Sequence, residues 1–259
     1  VAESPDRADA SGGLLGRFAP RIRTLPARVP LTRHDLLVPE FLLHQDGALA
    51  VYYAPFDHVN ERARVVVVGI TPGWAQMEVS FRQARADLLA GRPLPEVAER
   101  AKYAASFAGS MRANLVAMLD GIGVPVALGI GSAAALFGAQ RSLLHPTSVV
   151  RYPVLVGGAA ANYTGHAPRL LRHPLLCRYA FGPFADELRR TGDALVVPLG
   201  HAVSEALAAL RDAGVPPAER CLLGFPHPSG ANGHRQREYA AARETLAQQV
   251  RSWGAGRRG

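Results

Sequence analysis

Apolar positions along this chain fall into two patterns, unbroken β-branched runs and stretches spaced by three and four. The clearest run is Arg64-Val-Val-Val-Val-Gly-Ile70. A continuous β-branched segment of this kind predicts a parallel strand buried on both faces. Upstream, 41–44 (FLLH) and 48–53 (ALAVYY) flank Asp46-Gly47, a turn signal that predicts a hairpin. Downstream, strands and helices alternate. Over 110–119, Met111, Leu115, Met118 and Leu119 share one helical face, and Gly121 ends the helix. Residues 147–156, TSVVRYPVLV, predict a second strand whose far end Pro153 turns into an edge or exit. Residues 193–197 predict a third strand. Gly200 leads from it into a helix over 201–213, with Val203, Ala206, Leu207 and Leu210 inward. Residues 220–225 predict a fourth strand, and an amphipathic helix follows from about 236 to 250.

This rhythm predicts an α/β protein: a three-layer α/β/α sandwich around a central, mainly parallel four-stranded sheet. No internal repeat and no linker interrupts it, so residues 31–259 are expected to form a single domain. Residues 1–30 are rich in Ala, Gly, Pro, Ser and Arg and lack periodicity, which predicts a flexible basic arm able to touch a phosphate backbone.

Length and composition narrow the classes. The chain has 259 residues, 48% hydrophobic and 19% charged, as in ordinary globular proteins. No apolar run approaches the ~18 residues of a membrane span. The opening VAESPDRADASGG has no apolar core, which predicts no secretory signal and a cytoplasmic monomer without membrane partners.

 The 29 basic residues exceed the 21 acidic ones by 8, and 28 of the 29 are arginine, Lys102 being the exception. A GC-biased genome accounts for arginine over lysine but not for the surplus, which attracts polyanions, above all nucleic acid. Cys177 and Cys221 are the only cysteines, too few for a four-thiolate zinc or iron–sulfur site. They are expected to be ordinary buried thiols.

In parallel sheets, ligands bind at the carboxyl ends of the strands. Two segments there differ from ordinary loops. In Gly69-Ile70-Thr71-Pro72-Gly73-Trp74, Pro72 fixes φ while Gly69 and Gly73 allow a tight turn and close approach to a ligand. The segment has neither the lysine nor the spacing of a nucleotide-phosphate loop. In Pro226-His227-Pro228-Ser229-Gly230-Ala231-Asn232-Gly233-His234-Arg235, two prolines bracket a histidine, and small residues then offer backbone N–H groups suited to a phosphate backbone.

In this order the two loops resemble the uracil-DNA glycosylase superfamily. Its first motif is a GxxPG-type loop after the first core strand, here Gly69 to Gly73. Its second is an HPS or NPS loop after the last, here His227, Pro228 and Ser229. Ser106-Phe107-Ala108-Gly109 is similar to the F-x-G stretch that follows the first motif, and 147–153 to the strand leading to the base-reading position. Residues 193–200 are similar to the next strand and its glycine turn. The resemblance spans roughly residues 60–250.

It implies a monofunctional enzyme that flips uracil out of DNA and hydrolyses its N-glycosidic bond, with no metal or organic cofactor. His227 would hydrogen-bond uracil O2 as charge develops, and Phe107 would stack on the base. Trp74 would wall the pocket beside Gly69, Ile70 and Gly73. Either Asn162 or Ser148 would read the base edge. Ser229, Gly230, Asn232 and Arg235 would hold single- or double-stranded, uracil-containing DNA. Departures are informative. The iron–sulfur branch needs four cysteines, so two imply no cluster. Family members carry Asp, Asn or Glu where this chain has Thr71, whose hydroxyl can orient a water but not act as a base near neutral pH. The alternatives are a non-catalytic reader of uracil-containing DNA, or a binder that traps it covalently through His166 or His173.

Overall fold

The computed structural model describes residues 13–107, 109–215 and 220–256. In chain order its elements begin with α1 (Gly13–Arg23), the single turn α2 (Arg33–Leu36), β1 (Leu42–Asp46), β2 (Leu49–Tyr52) and β3 (Val65–Gly69). Helices α3 (Trp74–Leu89), α4 (Leu94–Ala105), α5 (Gly109–Gly121) and α6 (Val124–Leu128) come next. Strands β4 (Leu144–Ser148), β5 (Val154–Val156) and β6 (Ala161–Asn162) precede α7 (Pro174–Tyr179) and α8 (Ala185–Arg190). Strand β7 (Leu195–Pro198), α9 (His201–Asp212) and α10 (Arg235–Ala255) complete the order. The protein is therefore mixed α/β. Its backbone contacts divide it into two compact units. Nothing in composition marks the division, because the chain passes between the units at ordinary turns and not at a linker.

The first unit comprises the described residues up to Val59, with Thr71–Ser106 and Val150–Thr164. The Asp46-Gly47 turn joins β1 and β2 as the sequence predicts, and β5 and β6 extend them into an antiparallel sheet ordered β1-β2-β5-β6. The expected basic arm needs correction over its described part. Leu15, Phe18, Ala19 and Ile22 form the buried stripe of α1, a helical 3–4–3 spacing. The Phe18 ring stacks on Tyr53 at 4.2 Å. Residues 1–12 lie outside the described residues. Helix α3 carries no clean apolar stripe in sequence because its buried face includes Glu78 and Asp87. Arg82 pairs with Glu78 at 3.0 Å and Arg100 with Asp87 at 2.9 Å, so the carboxylates are buried with partners.

The second unit comprises Asn60–Ile70, Phe107–Val149 and the described part of Gly165–Gly259. Strand β3 is the middle of a three-stranded parallel sheet ordered β4-β3-β7, with Val68 level with both Thr147 and Pro198. Its four valines are fully buried, as the unbroken run requires. Val65 and Val67 pack into a core with Leu115, Met118 and Leu119 of α5 and Leu246 and Val250 of α10. Two strand expectations change. The segment 147–156 is not one strand: β4 ends at Ser148, and Val154–Val156 pairs antiparallel with β2 in the other unit's sheet. Pro153, which has no N–H to donate, lies in the turn between them. The expected fourth parallel strand reduces to a single bridge between Cys221 and Val196. Gly224, at φ 86°, turns the backbone away immediately afterwards.

Candidate functional site

The candidate residues fall into two groups, each within one unit. In the second unit, the carboxyl ends of β3 and β4 bring Gly69 level with Ser148. Parallel neighbours at the same level point to the same face. A Cβ placed on Gly69 would stand 3.4 Å from Ser148 Oγ, so the serine hydroxyl lies over the glycine. Ile70 follows directly and packs near Gly165, whose φ of +94° only glycine adopts readily. On the other side of β3, Leu199 N donates to Val68 O at 2.8 Å and the chain turns at Gly200.

Gly200 is the seat of His227. Its φ is +91°, and an added Cβ would meet His227 Cβ at 3.1 Å. The half-buried imidazole is oriented from its own loop: Ser229 N donates to Nδ1 at 3.2 Å. An Nδ1 that accepts carries no proton, so the ring proton resides on Nε2. Burial lowers the imidazole pKa from 6.5, which keeps the ring neutral at physiological pH. His227 is thus a neutral donor of fixed tautomer.

The rest of the loop holds itself in place. Asn232 Nδ2 donates to His227 O at 3.3 Å, and Arg235 donates to Ser229 O at 2.8 Å. Ala231 N donates to Ser229 Oγ at 3.2 Å. The side chains of Asn232 and Arg235, expected to contact DNA, therefore brace the loop. Gly230 approaches helix α5, with Ser110 Oγ 3.9 Å from an added Cβ. Phe107 is buried in the second unit's core, edge-on to Phe137 at 6.3 Å. Its φ of 37° is unusual for a non-glycine residue, and its carbonyl accepts from Arg112 Nε at 2.5 Å. Strain of this kind at a bulky residue is a pointer to function.

The first unit holds Thr71, Gly73, Trp74 and Asn162. Thr71 Oγ1 donates to Tyr152 O at 2.7 Å and accepts from Val154 N at 3.0 Å, tying the loop to the start of β5. Its one proton is committed, so what it can still offer a water is a lone pair. Asn162 Oδ1 accepts from Trp74 N at 2.8 Å, and Gln76 Oε1 accepts from Gly73 N at 3.0 Å. Together they satisfy the start of α3. Gly73 makes room for Asn162, since an added Cβ would stand 3.2 Å from its Nδ2 and push the amide back by a few tenths of an ångström. Arg33 covers the Trp74 ring at 4.9 Å and donates to Ala160 O at 2.8 Å.

Residues that sequence reasoning passed over include Tyr152 and Asn114. Tyr152 is buried and donates to Asp57 Oδ1 at 2.8 Å, while Tyr53 donates to Asp57 Oδ2 at 2.7 Å. Asn114 Nδ2 donates to Pro228 O at 2.9 Å. Neither carries a local signal, since each gains its meaning from a partner distant in sequence. Among the described residues, no group of three or more His, Cys, Asp or Glu could hold a metal ion, and no helix is long and apolar enough to cross a membrane. Cys177 and Cys221 are free thiols, and burial pushes the Cys221 thiol up to about 11.

The site and fold thus define a mixed α/β protein with a neutral histidine at the carboxyl end of a parallel sheet. The chain is 45% identical over 243 residues to the uncharacterized protein YoxB of Bacillus subtilis (strain 168), a match covering 93% of each chain. It belongs to the same family as that protein. No family model matches the chain, and no solved structure does.

Proposed function

We propose that this protein is a cytoplasmic, monomeric DNA glycosylase that extrudes uracil and hydrolyses its N-glycosidic bond. The observation that carries the reading is the tautomer of His227. As the C1′–N1 bond breaks, its electron pair moves onto the base, and negative charge grows on uracil O2. A neutral, preorganised Nε2–H donor stabilises that charge, an effect worth ~3–4 kcal/mol or 10²–10³ in rate. Water then bonds to C1′ and loses a proton to solvent. With the Thr71 proton engaged elsewhere, this reading assigns the water to the Ile70 carbonyl.

Ser148 is the base reader in this reading, because the Asn162 carbonyl already caps α3. Strands β4 and β7 flank β3, which separates their ends by roughly 10 Å, two strand spacings. After one hydrogen bond at each edge, about 4 Å remains, the breadth of a pyrimidine between its two carbonyl oxygens. Phe107 supplies the stacking face. The finer fold expectation, three layers around the central parallel sheet, belongs to the same proposal.

The test is a cutting assay on end-labelled oligonucleotides carrying one uracil, single-stranded or opposite A or G, with alkali to break abasic sites. Alkali-dependent cutting is expected, with His227→Ala lowering turnover by about 10²–10³ while affinity for the oligonucleotide persists. One observation favours a second reading, a non-catalytic reader: no carboxylate stands at position 71, where a water would be activated. Uracil-dependent retention of DNA without cutting would select that reading. A complex that survives SDS and heat would select covalent trapping through His166 or His173.

A further inference from the structure

We infer that Asn114 is a positioning residue for His227, fixing the histidine loop to helix α5 through the carbonyl of Pro228. The inference rests on the glycosylase reading for its kinetic consequence but not for its structural one. Pro226 and Pro228 have no N–H, so this backbone segment has few donors with which to brace itself. Its fixity comes from side chains that seize successive carbonyls. Asn232 holds His227 O at 3.3 Å, Asn114 holds Pro228 O at 2.9 Å and Arg235 holds Ser229 O at 2.8 Å.

Two of these ties are local to the loop and the start of α10. Asn114 is the tie from another element, 114 positions away in sequence. It lies on α5, the helix that opens just after Phe107. The same helix approaches Gly230 through Ser110. Without the Asn114 amide, the local ties still shape the loop, but nothing in this set registers it against α5. The Ser229 N–His227 Nδ1 bond then loses its fixed backdrop, and the donor wanders from its productive direction. A displacement of about 1 Å in a reacting geometry costs roughly 10²-fold in rate.

The experiment uses the full chain with Asn114→Leu, which keeps bulk but removes the donor, and Asn114→Ala as a second variant should leucine fail to fold. Long-range ¹H–¹⁵N correlation spectra report the His227 tautomer, with the signal assigned by its loss in His227→Gln. The wild type is expected to show one Nε2–H form. Both variants should show mixed tautomers and a His227 titration moved upward. On the uracil oligonucleotide, kcat should fall by roughly 10²-fold while KM changes less than about threefold. An unchanged tautomer and titration in a folded variant would overturn the inference. If the wild type shows no turnover, the glycosylase reading falls, and the spectra still decide whether Asn114 positions His227.

Discussion

At Thr71 a single hydroxyl is shared between two backbone groups, Tyr152 O and Val154 N. Valine has nearly the same shape but leaves both groups without their partner. Unmade bonds to part-buried backbone groups cost about 1–3 kcal/mol. Thr71→Val should therefore lower unfolding free energy in urea by about that amount, whereas Thr71→Ser, which keeps the hydroxyl, should lower it much less. Equal stabilities for the two variants would show that the hydroxyl is not the clamp. Tyr152 extends the arrangement, since its own hydroxyl donates to Asp57. The motif gives no sign of this structural role, which is why the proposed reading places the water on the Ile70 carbonyl and not on Thr71. Asn162 has the same history: an amide suited to reading a base is engaged in capping a helix.

At the scale of elements, α1 is the clearest test. A mobile arm would tolerate loss of Phe18, but the ring is buried, stacked on Tyr53 and near Phe41. Truncating a buried phenylalanine costs about 3–5 kcal/mol. Phe18→Ala should lower the unfolding free energy by that much, and a change under about 1 kcal/mol would return the segment to the status of an arm. The spacing of Leu15, Phe18, Ala19 and Ile22 is present in the sequence but reads as aperiodic. Pro20 and the surrounding Gly, Ala and Arg obscured it. Helix α3 was illegible for a different reason: its buried face contains Glu78 and Asp87, and Asp87 takes its partner Arg100 from α4.

Across the whole molecule, charge makes the prediction. The surplus of 8 positive charges is expected to act on DNA by displacing condensed counterions. Binding of a uracil-containing oligonucleotide, measured between roughly 50 and 200 mM salt, should weaken linearly on a log–log plot. Its slope counts the phosphates neutralised, about 0.7 each for a single strand. A flat response would remove nucleic acid as the partner of that surplus. The slope counts fewer phosphates than there are arginines, because exposed arginines such as Arg189 and Arg251 already pair with neighbouring carboxylates.

The sequence by itself determined the elements whose signals are local. The Val65–Gly69 strand, the Asp46-Gly47 hairpin, α5, α9 and α10 follow from β-branching, turn chemistry and helical spacing within a few residues. So did the two glycine- and proline-rich loops at the strand ends. Only the tertiary structure decided which polar side chains in those loops brace the backbone. It also decided that residues 147–156 serve two sheets and which distant groups tie the loops down. Those outcomes depend on groups far apart in the chain, as when Asn114 reaches Pro228 and Thr71 reaches Tyr152. A hydrogen bond's partner is set by distance in space, which hydrophobic periodicity does not encode.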